Sequence, residues 1–205
     1  WLTGANECEW AGVVCNADGI VSRLILSSGN LRGQLPNEIE AFASLTAFDF
    51  SANQVSGTIP TTISQLTGLQ FLRGEMNLLS GTIPMTFGEL AALEEVFLSE
   101  NLISGALPRS IGTLQRLSAL RIDRNQLQGT LPVEIGALPQ IVVLTMSGNR
   151  LSGTIPDEIW EQSPRLEILK LGGNELTGTL SNSIGNMQSL RDLDLSSNRL
   201  EGTLP

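Results

Sequence analysis

The chain has 205 residues and a net charge of −9, with 21 acidic and 12 basic side chains and no histidine. This acidity argues against a nucleic-acid partner, and the lack of histidine removes the commonest general base and metal ligand. The sequence has no apolar run of the roughly 18 residues that a membrane-spanning helix needs, so we predict no membrane span.

The first 20 residues carry both cysteines of the chain, in the segment CEWAGVVC at residues 8–15. Two thiols without a histidine make a poor zinc site. A disulfide between Cys8 and Cys15 would close a short loop, stabilise it by about 2–3 kcal/mol on the loop-entropy model, and hold Trp10, Val13 and Val14 over whatever follows. We therefore predict a disulfide cap over residues 1–20. Because disulfides persist in oxidising compartments, we also predict an extracellular or cell-surface location.

From Val21 onwards the chain repeats a unit of the form L-x-x-L-x-L-x-x-N-x-L-x-G-x-[IL]-P, with a step of 24 residues apart from one step of 25. A fixed period of this length indicates a solenoid, and the pattern is that of a leucine-rich repeat. We predict eight repeats over residues 21–205, the last incomplete, that begin at residues 21, 45, 69, 93, 117, 141, 166 and 190. Because the chain starts at Trp1 and stops at Pro205 inside a repeat, we expect the natural protein to continue.

Each repeat predicts its own local structure. The leucines of L-x-x-L-x-L point inward from a short strand, so stacked repeats form one parallel sheet on the concave side. The recurring asparagine can satisfy backbone groups at the turn, and the glycine and proline allow a tight bend. The following P-x-x-[IF]-x-x-L has helical spacing on the convex side. The predicted fold is a right-handed α/β solenoid.

Three departures from the pattern carry further expectations. Gly74 replaces an inward apolar residue, so its neighbours should leave a gap or fill it. Ser181 replaces the proline of the seventh repeat. The segment 159–165 is one residue longer than its counterparts, so we expect a convex bulge with an exposed or half-exposed Trp160.

The cap motif C-x-W-x-G-V-x-C, followed by repeats that end in L-x-G-x-[IL]-P, resembles the plant-type extracellular leucine-rich repeat family. That family includes receptor-kinase ectodomains, polygalacturonase-inhibiting proteins and a leucine-rich antifreeze protein, and similar caps occur in secreted proteins of diatoms. The resemblance covers nearly the whole chain. It implies an extracellular recognition module, and by itself it does not identify a ligand.

The outward positions of the concave strands are the first candidate site. Exposed aromatic and methionine side chains beside arginines are typical of protein-binding hot spots. Such residues concentrate in the third to fifth repeats, where we predict a ligand-binding set of Phe71, Arg73, Glu75, Met76, Glu95, Phe97, Glu100, Arg121, Asp123 and Arg124. The alternative is that these charges pair with one another across the strands and only solvate the face.

The flank is the second candidate site, because small hydroxyl residues recur there around the repeat glycine. Residues i and i+2 of a strand share a face, so successive repeats would build a flat two-column array that could order water and dock on ice. The predicted ice-binding set is Ser56, Thr58, Ser80, Thr82, Thr130, Ser152, Thr154, Thr177 and Thr179, with gaps at Ala106 and Gln128. Threonine is also an ordinary choice for an exposed strand.

No catalytic constellation is apparent, because adjacent carboxylates such as Glu94 and Glu95 point to opposite sides of a strand. We therefore predict a non-catalytic recognition module without cofactor or metal. It would bind a protein, peptide or polysaccharide on its concave face, as a receptor ectodomain, matrix or adhesion component. The alternatives are an ice-binding protein and an inhibitor of a wall-degrading enzyme. A bare edge strand at residues 190–195 would also allow self-association.

Overall fold

The computed structural model describes residues 7–203, so the first six residues of the predicted cap and the last two residues of the chain lie outside it. A nine-stranded sheet forms the concave side, and all its strands are parallel except the first, which is antiparallel to the second. Its strands are β1 (Val13–Cys15), β2 (Val21–Ile25), β4 (Ala47–Asp49), β6 (Phe71–Arg73), β8 (Glu95–Phe97), β10 (Ala119–Arg121), β12 (Val143–Thr145), β14 (Ile168–Lys170) and β16 (Asp192–Asp194). The predicted parallel concave sheet is thus confirmed. We call the stretch from the start of one concave strand to the start of the next a coil.

A second row of short parallel strands runs along the flank of the solenoid. Its strands are β3 (Arg32–Gln34), β5 (Gln54–Thr58), β7 (Leu78–Ser80), β9 (Ser104–Gly105), β11 (Gln126–Thr130), β13 (Arg150–Gly153), β15 (Glu175–Thr179) and β17 (Arg199–Glu201). The row divides into a three-stranded and a five-stranded sheet between β7 and β9. The amides of Leu102 and Ser104 still donate to the Leu79 and Gly81 carbonyls at 2.8 and 2.7 Å, so hydrogen bonds continue across the division.

The convex limbs are single tight turns. Most are five-residue 3₁₀ helices, which follow a proline because its fixed φ suits the first turn and its missing N–H is not needed there. The convex 3₁₀ helices span Asn37–Ala41, Thr61–Gln65, Met85–Glu89, Arg109–Thr113, Val133–Ala137 and Asn182–Asn186, and a further three-residue 3₁₀ helix, Glu7–Glu9, lies in the cap. In the last of the convex helices Ser181 stands in place of proline, and its hydroxyl accepts a hydrogen bond from the Ser183 amide at 3.3 Å.

The prediction of an exposed Trp160 is wrong. The longer segment forms the α-helix α1 (Asp157–Gln162), and Trp160 keeps only 3% of its surface exposed. An α-turn holds more residues per turn than a 3₁₀ turn, so the extra residue is absorbed in the helix. The helix thereby turns the indole into the core, where Met187 is also buried.

The gap expected at Gly74 is filled by its neighbour. A Cβ on Gly74 would lie 2.4 Å from Cζ of Phe50, whose side chain is 1% exposed. Phe50 occupies the corresponding inward slot of the preceding coil, so one large and one absent side chain share the volume that two leucines would fill. This pair is a point where the core depends on two specific residues.

The recurring asparagines form a ladder that joins neighbouring coils, as predicted. Asn101 shows the pattern: its Oδ1 accepts from the Leu79 amide at 2.9 Å. Its Nδ2 donates to the Gly74 carbonyl at 2.9 Å and to the Leu98 carbonyl at 3.1 Å. One side chain therefore satisfies backbone groups of two coils inside the core, where an unpaired group would be costly.

The cap contains the predicted Cys8–Cys15 disulfide. Strand β1 extends the concave sheet, Val13 is buried, and Trp10 packs half-buried against the core cluster. The cap therefore covers the concave part of the first coil. Within residues 7–203, no helix combines the length and apolar character required to cross a membrane.

Candidate binding surface on the concave face

The register of the sheet brings most of the predicted concave residues together. Arg73 on β6 lies opposite Phe97 on β8, which lies opposite Arg121 on β10. Phe71 lies beside Glu95 in the neighbouring column. Met76, Glu100 and Arg124 do not lie on the strands. They occupy the turn that follows, with left-handed φ angles of 56°, 57° and 52°, and so form a rim along the sheet.

Two guanidinium groups stack on one phenyl ring at the centre of this face. The Arg73 Cζ lies 5.3 Å and the Arg121 Cζ 4.9 Å from the Phe97 ring centroid, which is cation–π distance. We call Arg73, Phe97 and Arg121 the central ridge. Phe97 was expected to be exposed, and it is half-buried because the two arginines contact its ring.

The two arginines of the central ridge differ in their partners. Arg73 Nη2 lies 2.6 Å from Glu95 Oε2, and this hydrogen bond raises the pKa of Arg73. Arg121 is exposed, and no carboxylate of residues 7–203 lies within ion-pair distance of it. The central ridge therefore presents one neutralised and one unneutralised cation.

Charge pairing across the strands, the alternative to binding, is also observed. Arg124 pairs with Glu100 at 2.9 Å and Lys170 with Asp192 at 2.7 Å. Every ion pair between the described residues joins two neighbouring coils. Exposed ion pairs contribute little to stability because solvent screens them. Their main effect here is to determine which charges of the face remain unpaired.

Asp123 is engaged by its neighbours in the floor of this face. Its Oδ1 accepts from the Ser147 amide at 2.8 Å. Its Oδ2 accepts from the Ser99 hydroxyl at 3.2 Å and from the Thr145 hydroxyl. Because its acceptor capacity is largely used, Asp123 stabilises the arrangement of three strands rather than presenting a free carboxylate.

Two grooves lie on either side of the central ridge. The first groove, of about 410 Å³, is lined by Arg23, Ile25, Ala47, Asp49, Phe71 and Arg73, among others. The second groove, of about 520 Å³, is lined by Arg121, Asp123, Arg124, Val143, Ile168 and Lys170, among others. Sequence reasoning placed Arg23 and Asp49 in the correct columns but left them out of the candidate set, because it weighted the unusual third to fifth repeats.

Glu75 stands out electrostatically. Burial raises the pKa of its carboxyl above the ordinary value, and the nearby Arg73 and Arg121 charges offset this only in part. The Glu75 Oε2 atom is buried and makes no hydrogen bond to the described part of the chain. Ionisation of Glu75 is therefore less favourable in the folded protein than in the unfolded chain.

We expect Glu75→Gln to raise the melting temperature near neutral pH. A carboxyl whose pKa is raised in the folded state loses stability as the pH rises through that pKa. The gain should vanish below about pH 4, where Glu75 is protonated in both the folded and unfolded states. Calorimetric melting temperatures of wild type and variant across this range would measure it.

The exposed convex residue Glu89 provides the control, because Glu89→Gln removes the same charge outside the concave face. This control should change the melting temperature little at either pH. A lower melting temperature for Glu75→Gln near neutral pH would contradict the assigned cost of burial.

The flank differs from a free hydroxyl array. The serine hydroxyls donate to glycine carbonyls of the preceding coil, as from Ser80 to Gly57 at 3.1 Å and from Ser104 to Gly81 at 3.1 Å. The threonines are exposed, and those that directly follow a repeat glycine place their methyl against the glycine of the next coil, as Thr130 Cγ2 does at Gly153. The register is also offset, so that Thr130 lies beside Ser152. The flank therefore presents exposed threonines, while the serine hydroxyls already donate to glycine carbonyls.

Comparison with known proteins agrees with this fold. Residues 139–200 match the family described as leucine rich repeat. Among curated proteins of Arabidopsis thaliana, a receptor-like kinase is 39% identical over 49 residues, which are 24% of this chain and 5% of that protein. The chain thus spans only a small part of the curated relatives that it matches.

Solved structures match over far more of the chain. The PEPR1–AtPEP1 complex superposes with a TM-score of 0.91 at 36% identity, over 94% of this chain and 27% of that one. The BIR2 ectodomain from Arabidopsis thaliana gives 0.65 at 30% identity, over 73% and 81% of the two chains. A plant ice-binding protein gives 0.75 at 25% identity, over 100% and 82%.

Proposed function

Because the chain belongs to the plant-type extracellular leucine-rich repeat family, we propose that it is a non-catalytic, extracellular recognition module that binds a peptide on its concave face. The observation that carries the proposal is the central ridge, Arg73, Phe97 and Arg121, between the two grooves. The similarity to the ectodomain of the Arabidopsis receptor kinase HAESA, which was solved with a peptide hormone ligand, supports a peptide ligand on this kind of scaffold.

The central ridge favours a peptide or protein segment over a polysaccharide. Sugars stack their apolar faces on open aromatic rings, and the Phe97 ring already contacts Arg73 and Arg121. The neighbouring Val143 and Ile168 are half-buried aliphatic side chains in the second groove. Aliphatic contacts beside charged donors suit peptide side chains better than hydroxylated rings.

Selection of random 12-residue peptides displayed on phage would test this proposal. We expect enriched sequences whose affinity for the isolated chain falls at least about tenfold in Phe97→Ala, because central aromatic anchors dominate binding energy. The flank variant Thr154→Tyr is the matched control and should bind like wild type. Circular dichroism melting would verify that both variants fold. Enriched peptides that bind Phe97→Ala as tightly as wild type, or no enrichment at all, would refute concave-face peptide binding.

Ice binding through the flank is a second candidate function. The specific observation is the row of exposed threonines whose methyls contact the next glycine, together with the similarity to a plant ice-binding protein. Thermal hysteresis by the purified chain that is lost in Thr130→Tyr and kept in Phe97→Ala would favour the flank. The absence of any hysteresis or ice shaping would exclude this second function.

A further inference from the structure

Arg121 has the properties of a prepositioned carboxylate receptor. Its guanidinium lies 4.9 Å from the Phe97 centroid, so the ring restrains the long side chain. No hydrogen bond within the described range 7–203 uses its five N–H donors. A planar fork of donors suits a carboxylate, which it can bind through two parallel hydrogen bonds.

Among the cations that line the second groove, Arg121 is the one without an ion pair to the described residues 7–203. Arg124 is paired with Glu100, and Lys170 is paired with Asp192, which raises the pKa of Lys170. The Asp123 carboxylate is engaged by Ser99, Thr145 and Ser147. Glu75 is near enough to feel the Arg121 charge but makes no ion pair with it. An added carboxylate at Arg121 would therefore meet an uncompensated cation.

The position of Arg121 indicates which carboxylate it would meet. Arg73 lines the first groove and Arg121 the second, and Phe97 separates them. The linings of the two grooves run from Arg23 on β2 to Lys170 on β14. Neighbouring strands lie about 4.8 Å apart, so these seven strands extend over about 29 Å, the length of about nine extended residues. A peptide that occupies both grooves crosses the central ridge in its middle, so the group at Arg121 comes from an internal residue.

We propose that the concave face selects a peptide with an internal acidic side chain, which Arg121 binds, and with an apolar side chain two residues further on that contacts Val143 and Ile168. The spacing follows from an extended ligand, in which residues i and i+2 share a face. This inference rests on the proposed concave-face function and specifies the ligand chemistry that the face selects.

Three octapeptides test whether Arg121 binds an internal acidic side chain. Their binding is measured by isothermal titration calorimetry and by NMR of the arginine Nε–H groups. The first is acetylated and amidated, with glutamate at its fourth and leucine at its sixth position in a glycine–serine background. The second has glutamine in place of glutamate. The third keeps that glutamine and carries a free C-terminal carboxylate.

We expect the glutamate peptide to bind about tenfold more tightly than the glutamine peptide, the gain of a charged hydrogen-bonded pair. The Arg121 Nε–H resonance should shift only with the glutamate peptide. Arg121→Gln should remove the preference, and Arg121→Lys should retain part of it, because an ammonium keeps the charge and loses the fork. The flank variant Arg150→Gln is the control and should keep the full ratio.

Equal affinities for the first two peptides, with resonance shifts confined to the concave face, would overturn the carboxylate assignment and leave concave binding intact. Tighter binding of the third peptide than of the first would overturn the internal position in favour of a chain terminus. Shifts confined to the flank would overturn both this inference and the concave-face proposal.

Discussion

Gly74→Ala will lower the free energy of unfolding by about 1–3 kcal/mol, because an added methyl has no room in a packed core. A Cβ at this position would lie 2.4 Å from Cζ and 2.7 Å from Cε2 of the Phe50 ring. Phe50 is 1% exposed and packs tilted against Phe48 with ring centroids 4.7 Å apart, so the ring cannot move aside. Urea denaturation of the two proteins would measure the difference.

The same substitution at Gly185 is the matched control. A Cβ there would meet nothing within 4 Å and its φ is not left-handed, so Gly185→Ala should be neutral or slightly stabilising. Combining Gly74→Ala with Phe50→Leu should cost less than the sum of the two single changes, because the smaller side chain frees the volume that the methyl needs. Additive costs in this double-mutant cycle would show that Phe50 is not what excludes a side chain at Gly74.

Asn101→Ala is expected to cost about 1–3 kcal/mol of stability, since it leaves the buried Leu79 amide without its hydrogen-bond partner. Asn101 accepts from this amide at 2.9 Å and donates to the Gly74 and Leu98 carbonyls at 2.9 and 3.1 Å. These two carbonyls keep a second donor, the side-chain amides of Asn77 and Asn125. Asn101 itself is 6% exposed, so water cannot easily replace the lost bonds. The loss should be visible as a lower denaturation midpoint.

Asn198 is the control for this prediction because it makes the corresponding bonds to Leu176, Leu171 and Leu195 at 3.0, 2.9 and 3.1 Å. Asn198 is only half-buried, so solvent can reach the groups that its removal would expose. Asn198→Ala should therefore cost clearly less than Asn101→Ala. Equal costs would mean that burial of the ladder is not what makes it stabilising.

The backbone plan of this protein is predictable from its sequence. A repeat of fixed length fixes which residue faces inward, so the concave register and the asparagine ladder follow from the repeat pattern. The disulfide was predicted separately, from the two cysteines of the cap. Trp160 was misplaced because a one-residue insertion can either bulge outward or widen the 3₁₀ turn into an α-helical turn, and the pattern does not choose between them. Its burial depends on packing in the core cluster, of which Trp160 is a member.

The electrostatics of the concave face are less predictable. The register places Arg73 next to both Glu95 and Phe97, and only side-chain rotamers decide that it contacts both. The sequence likewise predicted free serine hydroxyls on the flank, but in the fold these hydroxyls donate to glycine carbonyls. A long polar side chain can reach several partners from one backbone position. The sequence pattern therefore does not predict which partner it contacts, and three-dimensional coordinates are required to identify it.

The ion pairs that bridge adjacent coils specify the order of the coils where the core does so only weakly. Apart from the Phe50–Gly74 pair, most coils have similar inward aliphatic residues and the same asparagine, so core packing alone distinguishes little between two neighbouring coils in exchanged positions. The surface charges do distinguish them. Exchange of the coils that contain Phe97 and Arg121 would set Arg73 directly beside Arg121 and remove Glu95 from Arg73. Surface charge thus favours one order of the coils along the solenoid, because each ion pair forms only when the correct two coils are neighbours.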